Sequence, residues 1–406
     1  MAKVAIITES FAVDGKVFAG GAERHTYQLA RLATDAGADV TIYQPLKSGN
    51  EISTVEGVSV RSVIADTRGI WKAATHQAVA DGCERFHYQY LAHVPRLAAK
   101  LHPSATHHGI YWDVPFDSRY AAWYPHGRLA RLYLRPWRLV HKRRYLKAVR
   151  RCREVLAADT SLLRLVQSDL PDLRDRICVV PNFSDLTPTT KASCAAGDVL
   201  DEIDAAKRDG RLIVLVPRNL SFKQGIAFLP ELVQIVAQRT DLRCQFVVTG
   251  QFIRGLPQSA QYERQLNKAL ASLPPESRAR LTFLHGVKHR RMPYWYQAAD
   301  IVVLPSVAGE ATSLSAIEAM TFGRAVVATN IGGLNDVIEH RHTGMLVRAR
   351  VDELADAIIT LAQDRELRVR LGEAAQCTAK RRYSLETWKS LVLPFIDRNQ
   401  WLSSDR

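Results

Sequence analysis

The sequence predicts an α/β protein of two doubly wound domains joined by a polar linker, and three observations carry that prediction. Short β-branched runs recur along the chain, with helical stretches of about 10 to 20 residues between most of them. The first run is followed by a Gly-containing loop, an amphipathic stretch and a second run, which is the opening of a βαβ unit. The alternation then stops in a polar stretch from Ser184 to Arg211 and begins again, so there are two such series rather than one.

Taken in order, Lys3 to Thr8 reads as a buried parallel strand, and the loop after it holds Gly15, Gly20 and Gly21. Tyr27, Leu29, Ala30, Leu32 and Ala33 give the helical stripe, which stops at Gly37. Asp39 to Tyr43 is the second strand. The pattern weakens from Gly49 to Pro103 and returns at Val155 to Ala158 and Ile177 to Val180. The second series has strand candidates at 212–216, 245–249, 281–284, 301–304, 325–328 and 345–347. The expected boundaries are 1–185 for the first domain, 186–210 for the linker with a lead-in helix, and 211–383 for the second domain. A last helix in 384–406 is expected to pack back on the first domain. Two such domains place a cleft between strand carboxyl ends, where ligands bind in open parallel sheets.

Composition narrows the class. The 406 residues are 47% hydrophobic and 24% charged, which argues against disorder, collagen-like repeats and a disulfide scaffold. No uncharged apolar run approaches a membrane span. The first apolar residues meet Glu9 too soon for a signal peptide, and the six cysteines are scattered, so a reduced cytoplasm is expected. The net charge is +14, and the 36 residues from Ser118 to Arg153 hold twelve basic side chains and no acidic one. The charge is therefore one local patch, which speaks against a uniformly basic nucleic-acid binder.

Four groups of residues have chemistry to offer. Glu310 lies in the loop after the strand ending at Leu304, and Glu318 lies in the helix that follows Ala311, Thr312 and Ser313. Amides at that helix N-terminus suit a diphosphate, and ionised carboxylates accept hydrogen bonds from sugar hydroxyls. Ser315-x-x-Glu318 also reads as a capping box, which would give Glu318 a purely structural role. Arg218 and Lys223 follow the opening strand of the second domain and can converge on one phosphate pair or remain two solvated loop cations. Gly20 and Gly21 let backbone amides approach an anion, or merely shape a turn. In Ala105-Thr-His107-His108-Gly109 a histidine can serve as acid or base; a metal is a weaker reading, because no further ligand has zinc-like spacing.

The order of these pieces resembles family 4 of the retaining GT-B glycosyltransferases: Gly-Gly-Ala-Glu, the His-Gly segment, Val-Pro-Asn182, Arg218 with Lys223, and Glu310-x7-Glu318. Phe283-Leu-His-Gly286-Val, Ala299 to Ser306, Glu318 to Gly323 and Ile331-Gly-Gly333 agree with it. The resemblance implies two Rossmann-like domains facing a central cleft, a nucleotide-sugar donor (UDP- or GDP-linked), no cofactor and no metal. It places Arg218, Lys223, Gly20 and Gly21 at the donor diphosphate, and Glu318 at the ribose. Glu310 and His108 fall beside the transferred sugar, Ala311 to Ser313 at the sugar or phosphate, and Val287 near the base. Many relatives have Gly-Phe-Gly where this chain has Ala311-Thr312-Ser313, so donor identity does not carry over.

Arg128, Arg131, Arg135, Arg138 and Lys142 form one stripe of a helix, flanked by Leu129, Leu132, Tyr133, Trp137, Leu139 and Val140. Pro136 is expected to kink or split that helix. Basic and apolar faces side by side suggest an anionic membrane surface, against the plainer reading of a solvated helix packed on its own domain. The expected function is hexosyl transfer to a lipid-linked or polysaccharide-precursor acceptor, peripheral on the inner face of the membrane. The alternatives are a soluble small-molecule acceptor, a GT-B epimerase, or a non-catalytic nucleic-acid binder.

Overall fold

The computed structural model describes residues 3–8, 11–13, 16–17, 21–46, 52–65, 70–89, 106–111, 127–188, 197–239, 241, 243–252, 259–284, 286–308, 310–399 and 401. The chain divides into two units: 1–116, 132–182 and 386–406 form the first, and 117–131 and 183–385 the second.

The first unit carries β1 (Lys3–Ile7), a two-residue pair β2 (Ala12–Val13) and β3 (Lys16–Val17), β4 (Asp39–Leu46), β5 (Ile52–Val55), β6 (Val58–Ile64), β7 (Arg85–Tyr88), β8 (Thr106–Tyr111), β9 (Glu154–Ala157) and β10 (Ile177–Val179). Its sheet runs β10-β9-β8-β7-β1-β4-β6-β5. All pairings are parallel except the edge hairpin β5–β6, whose turn residues Glu56 and Gly57 both have positive φ. β1 lies inside the sheet, with Val4 to Ile7 fully buried, as its apolar run predicts. The helix Gly21–Asp35 follows the loop after it.

The helix Gly127–Arg151 continues through Pro136, so the expected split does not occur. A proline gives up one backbone hydrogen bond within a helix but leaves those of the other turns intact. The carboxyl half of this helix is held by Ala148 and Val149, buried in the core beneath the sheet.

The last helix, Leu385–Arg398, belongs to the first unit. Trp388 packs edge-on against His25 at 5.1 Å, and Phe395 and Trp401 meet His87. Glu154 at the start of β9 accepts hydrogen bonds from Arg398 and from Asn399, the latter at 2.7 Å.

The second unit holds β11 (Leu212–Val216), β12 (Cys244–Val248), β13 (Leu281–Phe283), β14 (Ile301–Leu304), β15 (Ala325–Thr329) and β16 (Met345–Val347), all parallel, in the order β13-β12-β11-β14-β15-β16. Ile213 and Leu215 enter one core and Val214 and Val216 the other, so both faces of β11 are covered. The helix Gly197–Arg208 contributes Ile203 and Ala206 to the first of these cores. The strand order reverses between β11 and β14, which puts the topological switch point at their carboxyl ends.

Candidate functional site

Two loops leave the sheet at that switch point. The first follows β11 through Pro217 to Gly225, and the second follows β14 from Pro305 to Ser313. They are pinned together by the backbone: Val307 N–H donates to the Lys223 carbonyl at 2.9 Å. Gly225 has φ +71°, and a Cβ there would lie 1.8 Å from the Pro305 carbonyl oxygen, so only glycine lets the loops approach this closely. Arg218 is thereby folded inward, at 6% exposure.

The Arg218 guanidinium meets Glu310 with Nη1 3.1 Å from Oε1, and both side chains are buried. The other oxygen of Glu310 accepts from Ser306 Oγ at 2.9 Å. A buried ion pair is held against its desolvation cost only when such additional hydrogen bonds complete it. Arg218 Nε and Nη2 are also buried, and neither has a hydrogen-bond acceptor among the described residues. Arginine is a donor only, so two donor nitrogens of the guanidinium, with three N–H groups between them, stay unanswered among the described residues.

Beyond Glu310, Thr312 and Ser313 are buried and lead into the helix Leu314–Thr321. Ser313 is its N-cap, but its Oγ makes no capping bond and has no partner among the described residues. The first amides of the helix and the macrodipole favour an anion at this end. The loop is braced from behind by Gly332, where a Cβ would lie 2.1 Å from the Glu310 carbonyl, and by Gly333 N–H, which donates to that carbonyl at 2.8 Å.

Glu318 lies one turn further along the same helix and is buried. The capping box does not form: the N-cap is Ser313, and Ser315 Oγ donates to the Pro217 carbonyl at 3.0 Å. Glu318 Oε2 instead accepts from the Tyr296 hydroxyl at 2.8 Å, and Oε1 lies 2.6 Å from His289 Nε2. Burial, and after it the neighbouring Glu318 carboxylate, push the Tyr296 hydroxyl well above its ordinary pKa, so it remains a donor. Tyr296 and His289 carry no local sequence signal, because they lie 22 and 29 residues upstream of Glu318 and reach it only through the fold.

Comparison with known proteins gives two family matches in succession. The model described as Glycosyltransferase Family 4 matches residues 19–187, and that described as Glycosyl transferases group 1 matches residues 201–378. The chain belongs to the group 1 and family 4 glycosyltransferases. A D-inositol 3-phosphate glycosyltransferase of Xylanimonas cellulosilytica is 28% identical over 94% of this chain and 92% of that one. An alpha-D-kanosaminyltransferase of Streptomyces kanamyceticus is 31% identical over 44% of this chain, and the match spans only 43% of that relative's length. Among solved structures, Anabaena HepE in complex with UDP and glucose has a TM-score of 0.73 at 17% identity, covering 98% of this chain and 100% of that one. That likeness establishes the GT-B fold with its two Rossmann-like domains.

Lys223 is half-buried in the loop after β11, and Val287 packs against the second unit's core beside Gly286. Ala311 is half-buried in the loop ahead of the helix Leu314–Thr321. In the first unit, Gly21 is the first residue of the helix Gly21–Asp35, and Gly20 lies outside the described residues. His108 is in the middle of β8, paired with His87 of β7 and Glu154 of β9. Arg128, Arg131, Arg135 and Arg138 lie on the helix Gly127–Arg151, with side chains outside the described residues. Lys142, from the same stripe, forms an ion pair with Asp169.

Proposed function

We propose that the chain transfers a sugar from a nucleoside-diphosphate donor, with the diphosphate taken up by the second unit. The observation that carries this reading is the pair of buried, unanswered Arg218 donors on the loop that Val307 and Lys223 tie to the segment leading into the helix capped by Ser313. A guanidinium fork with two donor nitrogens unanswered among the described residues suits a phosphate oxygen pair, and Lys223 adds a point charge from the same loop. The UDP held by HepE supports the same donor class.

The mechanism follows from the leaving group. A nucleoside diphosphate departs with developing negative charge, which Arg218, Lys223 and the helix N-terminus stabilise most as the bond breaks. Glu318 accepts from the ribose hydroxyls. Glu310 keeps the Arg218 fork at a fixed angle and offers its remaining acceptor capacity to the donor sugar. His108 acts near the transferred sugar. Attack on the same face, with the departing phosphate receiving the acceptor proton, is the reading the family supports. Because Arg218 and Lys223 supply the positive charge, no metal is assigned a role.

For the acceptor, the favoured reading is a lipid-linked or polysaccharide precursor at an anionic membrane on the cytoplasmic side. It is supported by Leu139 and Val140, which are 51% and 61% exposed on the helix that carries the basic run, with exposed Arg143 and Arg144 one turn on. Among the described residues no helix is long and apolar enough to cross a membrane. A second reading, a small polar acceptor, is supported by the relatives named for inositol phosphate and by the ion pair that occupies Lys142.

A thermal-shift screen against nucleoside diphosphates and their sugars tests the donor reading, because a ligand at 100 times its Kd stabilises by about 2.7 kcal/mol. A stabilising nucleoside diphosphate is expected; a flat response to all of them contradicts the reading. Sedimentation with vesicles containing anionic phospholipid tests the acceptor side. Binding that is lost when Leu139 and Val140 become Asp is expected, and no binding leaves the small-acceptor reading.

A further inference from the structure

We propose that His289 is a positioning residue for the nucleotide's ribose, acting through Glu318; this rests on the donor reading above. Its Nε2 lies 2.6 Å from Glu318 Oε1, and the carboxylate can only accept, so the hydrogen in this bond is carried by the imidazole. Which nitrogen bears the proton is thereby fixed: Nε2 is a donor whether the ring is neutral or charged.

Tyr296 and His289 approach Glu318 from different settings. Tyr296 is fully buried on the helix Met292–Ala298 and holds Oε2 from within the core. His289 sits on the short turn His289–Arg291, two residues after the base-proximal Val287, and its side chain is 23% exposed against 5% for Glu318. Each partner takes one acceptor position on a different oxygen. A carboxylate has about four such positions, and a ribose diol needs one on each oxygen. Hydrogen bonds on both oxygens, from Tyr296 and from His289, restrain the rotation and the tilt of the carboxylate plane. His289 therefore sets the angle at which a diol is met. It also couples the loop that follows β13 to the ribose, so that base and ribose are presented by one continuous segment.

The test compares nucleotides that differ only in the diol. Binding of UDP and 2′,3′-dideoxy-UDP, and of the corresponding guanosine pair, is measured by calorimetry on the full chain and on His289→Ala, His289→Gln and His289→Phe. The wild type is expected to prefer the diol-bearing nucleotide. His289→Ala should weaken that nucleotide about tenfold, the size of one lost hydrogen bond to a charged group, and leave the dideoxy form within about twofold. Gln places an amide N–H near the Nε2 position and should restore the preference, while Phe fills the space without a donor and should not. Equal weakening of both nucleotides, an unchanged preference in His289→Ala or His289→Phe, or no rescue by Gln would overturn the proposal while leaving the donor reading in place. A wild type that binds neither base's diphosphate overturns the donor reading and this proposal with it. If His289→Ala does not fold, the Gln and Phe variants carry the same comparison.

Discussion

In the proposed function the donor chemistry turns on Arg218, and the environment of that residue makes the predicted effects asymmetric. Arg218→Lys retains a charge but loses the planar fork, so affinity for a nucleoside diphosphate should fall about 10- to 100-fold in a calorimetric titration. Glu310→Ala should do more to the protein than to the ligand, because it strands a buried guanidinium; a loss of about 3 kcal/mol in urea unfolding is expected. Retention of full stability in Glu310→Ala would mean that the Arg218–Glu310 pair does not brace the loop. Arg218, Glu310 and Glu318 were legible as candidates from their order in the chain. Ser306, Tyr296 and His289 were not, since serine, tyrosine and histidine at those positions carry no local pattern and gain meaning only from the carboxylate they reach.

Among the elements, the six strands of the second unit could be read almost to the residue, because they are short runs dominated by apolar residues, and β11, β12, β14 and β15 are buried along all or nearly all of their length. The first unit was harder. β6 alternates buried and half-buried residues, and β8 begins Thr-His-His-Gly, so neither resembles a continuous apolar strand. The C-terminal helix was visible as a helix, and its Trp388 packs on His25, whose burial gives the folded chain a pH dependence. Burial lowers His25 from its ordinary 6.5 to about 3, which keeps the ring neutral in the folded chain. Between those values the unfolded state binds the extra proton, so this group's contribution is complete above about 6.5 and declines as the pH falls towards 3. The contribution should be about 2 kcal/mol smaller at pH 5 than at pH 7. His25→Phe should remove that part of the difference when urea midpoints are compared at the two pH values, and an unchanged difference would show that His25 does not titrate on unfolding. The close approach of the two site loops makes a second prediction at this scale. Gly225→Ala must displace Pro305 or abandon a positive φ, so donor affinity and stability should fall together, and a variant with normal values of both would contradict the packing of the loops.

Taken over the whole molecule, the charge of +14 resolves into a basic run from Ser118 to Arg153 and a remainder close to neutral. The helix at Gly127–Arg151 bears most of that run, and at least one of its cations, Lys142, is already paired within the first unit. The family matches divide the chain at nearly the place where the polar stretch does, one over residues 19–187 and one over 201–378. The second half offers the Arg218 and Lys223 cations on one loop, so turnover should survive a chelator: activity in excess EDTA is expected within about twofold of the untreated value. Loss of activity that returns with a divalent cation would show that Arg218 and Lys223 do not suffice for the leaving group. The most direct measurement is the affinity increment from the diphosphate itself, taken as the ratio of Kd for uridine to Kd for UDP, or for the guanosine pair if that base is preferred. The wild type should show a ratio of about 100 or more, shrinking to about 10 or less in Arg218→Lys; an equal ratio in the two proteins would contradict the assignment of the buried Arg218 donors to the diphosphate.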